Sequence, residues 1–236
     1  MIEVTDLKFE YGDGGRKENS DSPFSLQVPR LSVTAGTSAA VVGPSGSGKT
    51  TLLHLLSGIL IPGSGSIAIG EFHPAGESDS ARRRHRLRNI GMVFQNFELI
   101  EYLSVLDNVL LPCRIDTSIP LTPELRDRAR ELLSHCGLEH LVRRNITQLS
   151  QGEQQRVAIC RALLTSPALI LADEPTGNLD PTTSQQIMNL LLNSVRDQGA
   201  TLVMVTHDHS LLNQFDQTID FLQFLSSPNA RQESQQ

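Results

Sequence analysis

Eight residues, GPSGSGKT at Gly43–Thr50, have the types and order needed to hold a chain of phosphates. They match G-x-x-x-x-G-K-[ST], with the apolar run SAAVV before them and TTLLHLLSG after, so the loop joins a strand to the start of a helix. Glycines let backbone N–H groups approach phosphate oxygens, the Lys49 ammonium neutralises charge at the β- and γ-positions, and the Thr50 hydroxyl is available to Mg²⁺. The following helix adds the equivalent of roughly +0.5 charge at its N-terminus. Gly43, Pro44, Ser45, Gly46, Ser47, Gly48, Lys49, Thr50 and Thr51 are the candidate phosphate contacts. The alternative is a glycine-rich turn without a ligand.

A second apolar strand, ALILADE at Ala168–Glu174, ends in two carboxylates. In a P-loop nucleoside triphosphatase Asp173 is the expected Mg²⁺-side acid, and Glu174 is then placed to polarise an attacking water. The other reading of the pair is a cap for the next turn. No N-K-x-D guanine motif occurs, which argues against a GTPase, while a small-molecule kinase stays open on the loop alone.

LSQGEQQR, Leu149–Arg156, carries no nucleophile or metal cluster. Ser150 followed three residues later by Glu153 spells a capping box, so a helix starts here and continues through QQRVAICRALL. A helix start also attracts anions, and Gly152 in its first turn would admit a phosphate. Local sequence leaves both a capped helix without ligand and an anion site open.

The elements that must position these residues follow from hydrophobic patterning. Apolar runs IEVTDLKF, SAAVVG, SIAIG, IGMVF, ALILAD, TLVMVTHD and TIDFLQF read as strands, the later ones separated by helix-length segments. This predicts an α/β fold with a mainly parallel sheet, and the closer early runs predict an antiparallel flank. Helical patterns replace strands between about 96 and 165, notably in TPELRDRARELLSHCG, with Thr122 as cap, Pro123 opening the helix and Gly137 ending it. One domain over 1–225 with an inserted helical subdomain is expected. GDGGRKENSDS reads as a polar loop, and 226–236 as a flexible tail.

Composition narrows the partners. The chain has 236 residues and a formal net charge of -6, against a surface adapted to nucleic acid. Cys113, Cys136 and Cys160 lack metal or redox spacing, which suits a reducing compartment. No secretory signal is evident at the N-terminus. No apolar run approaches the ~20 residues that span a bilayer, so membrane contact would need a partner. The arginine-rich run ARRRHRLR, Ala81–Arg88, reads as a solvated helix face or as a site for anionic lipid or an acidic loop.

Four further stretches, MVFQ with Gln95, LSQGEQQR, GNLD with Asp180 and VTHD with His207, follow the phosphate loop and LADEP in an order that resembles the nucleotide-binding subunit of an ATP-binding cassette (ABC) transporter. The resemblance covers about residues 2–224. More narrowly, TLLHLLSG, SVLDNVLLP and LADEPTGNLD look like the lipoprotein-release and macrolide-efflux branch, whose permeases transmit force outside the membrane.

The resemblance implies a P-loop fold and Mg²⁺-dependent ATP hydrolysis. Tyr11 would stack on adenine, unless it is simply an exposed strand-end tyrosine, and Gln95 would reach Mg²⁺ and the attacking water. His207 would hydrogen-bond the γ-phosphate beside Glu174. Ser150, Gly152 and Glu153 would meet the γ-phosphate held by a second copy in a head-to-tail dimer, with Asp180 at the interface. Gln151 and Glu153 depart from the commonest family pattern at this helix start. A transmembrane permease would dock near NFELIEYLSVLDNVLLP, with Leu99, Ile100 and Leu103 as contacts or as core, placing the chain at the cytoplasmic membrane face. The partner would be a transporter or, alternatively, a non-transporting permease-like protein of cell-wall remodelling or division. A stand-alone repair or translation ATPase is disfavoured, since neither a long coiled coil nor a second cassette is present.

Overall fold

The computed structural model describes residues 1–11, 24–177 and 179–225. The expected polar loop after Tyr11, Asn178 of GNLD and the expected flexible tail lie outside the described residues.

Two sheets share one core. The first is antiparallel, in the order β2-β1-β4, with β1 at Ile2–Glu10, β2 at Ser25–Val33 and β4 at Ser64–Ile69. The second is wholly parallel, in the order β5-β6-β7-β3-β8, from β3 (Ser38–Val42), β5 (Ile90–Val93), β6 (Leu169–Asp173), β7 (Thr201–Thr206) and β8 (Gln217–Asp220). β3 and β7 are buried along their whole length, as strands covered on both faces must be.

Two strand assignments need correction. β2, SLQVPRLSV, is absent from the expected strands because its alternation changes phase at Pro29–Arg30. β1 changes phase too, at Thr5–Asp6, and the register shifts between Thr5 and Lys8. Asp6 adopts φ 48° there, and a Cβ on Gly65 would lie 2.3 Å from the Asp6 carbonyl oxygen, so the bulge requires a glycine opposite it. TIDFLQF, expected as one strand, ends at Asp220. The Asp220 carboxylate accepts from Leu222 N, opening a 3₁₀ turn at Phe221–Phe224 that drives the fully buried Phe221 into the core.

Seven α-helices connect the described strands: α1 (Lys49–Leu56), α2 (Asp79–Asn89), α3 (Val105–Val109), α4 (Leu111–Ile115), α5 (Pro123–His135), α6 (Gln151–Leu163) and α7 (Pro181–Gln198). Every described α-helix between β5 and β6 belongs to the run α3 to α6. α5 starts where the sequence places it, with the Thr122 side chain accepting from Leu125 N, and Gly137 follows its end at φ 70°.

α6 belongs to two cores at once. Ile159, Ala162 and Leu163 pack with Ile170, Met188 and Leu202 of the sheet and α7. Val157, Cys160 and Leu164 pack with Val105, Leu133 and Leu141 of the helical segment. At its C-terminal end the Arg161 guanidinium donates to the carbonyls of Phe97 (2.7 Å) and Glu98. Those two residues have positive φ, 62° and 49°, in the turn after Gln95. Burial lowers the Arg161 pKa to about 10, which leaves it charged at neutral pH.

The arginine run forms α2, which has no buried residue. Three of its five guanidiniums nevertheless donate to backbone carbonyls outside the helix: Arg82 to Glu77, Arg86 to Ser57 and Arg88 to Ser118. Arg83 pairs with Asp79 at 2.5 Å.

Candidate active site

The phosphate-loop residues sit where β3 emerges at the carboxyl edge of the parallel sheet, where ligands of open α/β sheets bind. Gly46 and Gly48 have φ 74° and 107°, conformations that would strain other residues. Gly48 has a second reason: a Cβ there would lie 2.3 Å from Phe24 Cζ, so the Phe24 ring closes over the loop only because the side chain is absent. The Ser47 hydroxyl is buried without a hydrogen-bond partner among the described residues.

Lys49 is only 5% exposed, and its ammonium donates to the carbonyls of Gly43 and Pro44, both at 2.8 Å. Burial lowers its pKa, while Glu174 and Asp173 oppose that shift. The Thr50 hydroxyl donates to Asp173 Oδ2 at 2.7 Å. Burial raises the Asp173 pKa, Thr50 counteracts it, and the neighbouring Glu174 charge adds to the rise.

Glu174 is held by backbone geometry. It has φ 44°, its N–H donates to the Val205 carbonyl of β7 at 3.0 Å, and its own carbonyl accepts from Gly177 N. This carries its carboxylate between two loops. Oε2 lies 3.1 Å from His207 Nδ1 and accepts from Gln95 Nε2 at 3.5 Å. Strain of this kind persists only where the surroundings over-determine it.

A cavity of about 320 Å³ collects Tyr11, the phosphate loop, Gln95, Asp173 and Glu174. A second of about 460 Å³ holds His207 with the other side of Glu174. Phe24 lines the first and was not singled out by sequence, because nothing in its local pattern announces a contact with Gly48. Tyr11 stands at the rim, 36% exposed, its hydroxyl 3.0 Å from Thr51 Oγ1 and its ring edge-on to Phe9.

Ser150, Gly152, Glu153 and Asp180 do not line this cavity. They form a separate surface at the starts of α6 and α7. The capping box is complete: Glu153 N donates to Ser150 Oγ, and Ser150 N and Oγ donate to Glu153 Oε2, both at 2.8 Å. Asp180 caps α7, accepting from Thr182 N, Thr183 N and Thr183 Oγ1. These hydrogen bonds lower the pKa of each acid. A Cβ on Gly152 would lie 2.9 Å from Thr183 Cγ2, so the glycine also answers a packing demand inside the chain.

An apolar groove of about 240 Å³ lies apart from both surfaces, between β5 and the helical segment, with Met92, Phe94, Leu111, Pro112 and Ile115 in its lining. Leu99, Ile100 and Leu103 are absent from that lining. Leu99 packs against the helical core, and the fully buried Asn108 bonds the backbone of both Ile100 and Leu103.

Comparison with known proteins bears on the chain as a whole. A family model described as "ABC transporter" matches residues 26–177. The lipoprotein-releasing system ATP-binding protein LolD 1 of Rhodopirellula baltica is 40% identical over 223 residues, covering 94% of each chain. The ABC transporter ATP-binding protein YtrE of Bacillus subtilis is 38% identical, covering 88% of this chain and 89% of its own. Among solved structures, the dimeric post-hydrolysis state of the ATP-binding cassette MJ0796 bound to ADP and Pi superimposes with a TM-score of 0.83 at 34% identity. The match covers 93% of this chain and 94% of that one.

Proposed function

This chain belongs to the ABC transporter family and is an ATP-binding, ATP-hydrolysing cassette, and we propose that it drives a membrane permease by closing, two copies together, around ATP. The observation that carries the reading is the meeting of Gln95, Glu174 and His207 on one carboxylate oxygen, beside a loop that presents Lys49 and Thr50.

The phosphates of ATP fit the loop. Backbone N–H groups around Gly46 and Gly48 take the phosphate oxygens, the unpartnered Ser47 hydroxyl gains an acceptor, and Lys49 exchanges two carbonyl partners for the anionic β- and γ-oxygens. Tyr11 packs against the adenine at the rim. Thr50, Asp173 and the Gln95 amide are hard oxygen donors suited to Mg²⁺, which takes one or two carboxylate contacts plus phosphates rather than an all-protein cage. When bound, that ion neutralises phosphoryl charge. Glu174 orients and polarises the attacking water, and His207 holds both Glu174 and the γ-phosphate in line.

The second surface is directed at a partner copy. Ser150 and the N–H groups beside Gly152 contact the γ-phosphate held by the other cassette, and Asp180 orders the adjoining turn. Charge-assisted hydrogen bonds contribute ~1.5–3 kcal/mol each, against an association cost of ~4–15 kcal/mol. Several contacts at two sites therefore decide between open and closed, and loss of the γ-phosphate releases the pair. The dimeric arrangement of the MJ0796 cassette, with both ADP and Pi bound, supports the pairing of two copies.

The apolar groove, which shares Glu98, Leu111 and Pro112 with the stretch expected to dock, is the docking site for a cytoplasmic segment of the permease. The relatives named for lipoprotein release favour a permease that exports lipoproteins or transmits force across the envelope. Size-exclusion chromatography of Glu174→Gln with Mg-ATP tests the composite site: a dimer is expected, and a monomer at saturating ATP overturns it. Identification of the membrane protein that co-purifies, and its loss in Ile115→Asp with basal ATPase retained, tests the groove.

A further inference from the structure

Outside the nucleotide machinery, two thiols face each other. Cys160 lies in α6 with no exposed surface, and its Sγ is 3.3 Å from Sγ of Cys136, the residue that ends α5. The two are separate thiols. A cavity of about 390 Å³ opens on Cys136, flanked by His135, Arg156 and Asn189. Cys136 has non-helical backbone and precedes Gly137 at φ 70°, so it sits on a turn.

We propose that Cys136 and Cys160 form a reversible oxidation site, where a peroxide converts the facing thiols into a disulfide tying the end of α5 to the interior of α6. The Cys136 thiolate attacks one peroxide oxygen, the O–O bond breaks, and hydroxide leaves to become water. The resulting sulfenic acid is attacked by Cys160 sulfur, which loses its proton as the S–O bond breaks and a second water departs. Two thiols are oxidised, and one hydrogen peroxide is reduced to two waters.

The roles follow from the surroundings. A hydrogen bond from the Cys160 thiol lowers the Cys136 pKa, and the Arg156 guanidinium acts in the same direction. Cys160 is shifted the opposite way, by its bond to Cys136 and by burial, and stays protonated until the sulfenic acid forms beside it. A sensor thiol of this type is accessible, tends to thiolate and stands next to a resolving thiol. Closure from 3.3 Å to a bond of about 2.05 Å is a movement of about 1.3 Å, available to a side chain on a turn. Cys113 has neither feature: it is buried in α4, and burial raises its pKa.

The test uses the full chain, freed of reductant, folded and treated with hydrogen peroxide before denaturation and alkylation. Free thiols are expected to fall from three to one, and dithiothreitol to restore all three. Non-reducing peptide mass spectrometry should find Cys136 joined to Cys160 within one chain. Cys136→Ser should retain both remaining thiols, whereas Cys160→Ala should leave a Cys136 sulfenic acid that dimedone traps. Should Cys160→Ala fail to fold, Cys136→Ser on the accessible side carries the comparison. A count unchanged at three, a link through Cys113, or a link between two chains overturns the proposal.

Discussion

The cavity at β3 and β6 and the surface at the starts of α6 and α7 are built on opposite principles. Around the cavity, Ser47 Oγ of the phosphate loop is buried without a partner among the described residues, Glu174 is held at φ 44°, and burial raises the Asp173 pKa. At the helix starts, Ser150 and Glu153 bond each other's side chains and backbone N–H groups, and Asp180 accepts from Thr182 and Thr183. The first region is locally unfavourable and improves when a polyanion arrives. The second is complete alone and, on the proposed reading, offers a partner only the outward face of helix N–H groups already organised by their caps. An unsatisfied site announces its ligand within one chain; a satisfied one is recognisable as a site only when a second molecule is considered.

Lys49→Ala gives the largest expected effect. Removing two charge-assisted bonds to phosphate lowers ATP affinity roughly 10²-fold or more, and unchanged affinity in calorimetry would remove the cavity from the comparison. Glu174→Gln leaves affinity near normal but cuts kcat by roughly 10²–10⁴, the usual contribution of a general base; single-turnover hydrolysis measures this. Ser150→Ala sharpens the other side. Loss of the cap costs about 1 kcal/mol, or roughly 2–4 °C in Tm, and on the proposed reading ATPase activity falls by a larger proportion than this suggests. Equal activity with lowered Tm would make the second surface purely structural. Tyr11→Phe has the smallest effect: it keeps the ring, loses the bond to Thr51, and changes ATP affinity by less than about tenfold, since a neutral hydrogen bond contributes ~0.5–1.5 kcal/mol.

Acid pH separates the regions by sign. The pKa of Glu153 is lowered, so its contribution to stability is present above the ordinary carboxylate range and is lost as pH falls through its folded value. The pKa of Asp173 is raised, so its charge opposes folding at neutral pH, and that opposition is relieved as pH falls through the raised value towards the ordinary one. On acidification the nucleotide-free protein should therefore be relieved of strain at Asp173 while losing support at Glu153. Asp173→Asn should melt at or above the parent temperature at neutral pH while losing ATPase activity, and a clear drop in Tm would contradict this assignment of strain.

Local signals were readable from sequence and distant ones were not. The phosphate loop, the Ser150–Glu153 box and the ends of α5 depend on neighbours within four residues, and each has the expected geometry. β2 escaped because Pro29–Arg30 shifts its alternation to match the bulge in β1, a property of the pair rather than of either strand. Phe24 is invisible without knowing that its ring covers Gly48, and the packing demand on Gly152 is invisible without Thr183. Leu99, Ile100 and Leu103 were ambiguous for a related reason. Their loop is shaped by Asn108, a polar residue whose fully buried position no hydropathy pattern predicts.

The double membership of α6 has a mechanical side. Its 13 residues form a rod of about 20 Å. One end is the capped start at Ser150; the other, through Arg161, grips the turn after Gln95, and Arg161 also borders the apolar groove. Packed on both sides, such a rod yields little along its axis, so displacement at one end is delivered to the other with small loss. The same helix thus spans, as one stiff element, the distance between the surface proposed for the partner's phosphate and the groove proposed for the permease.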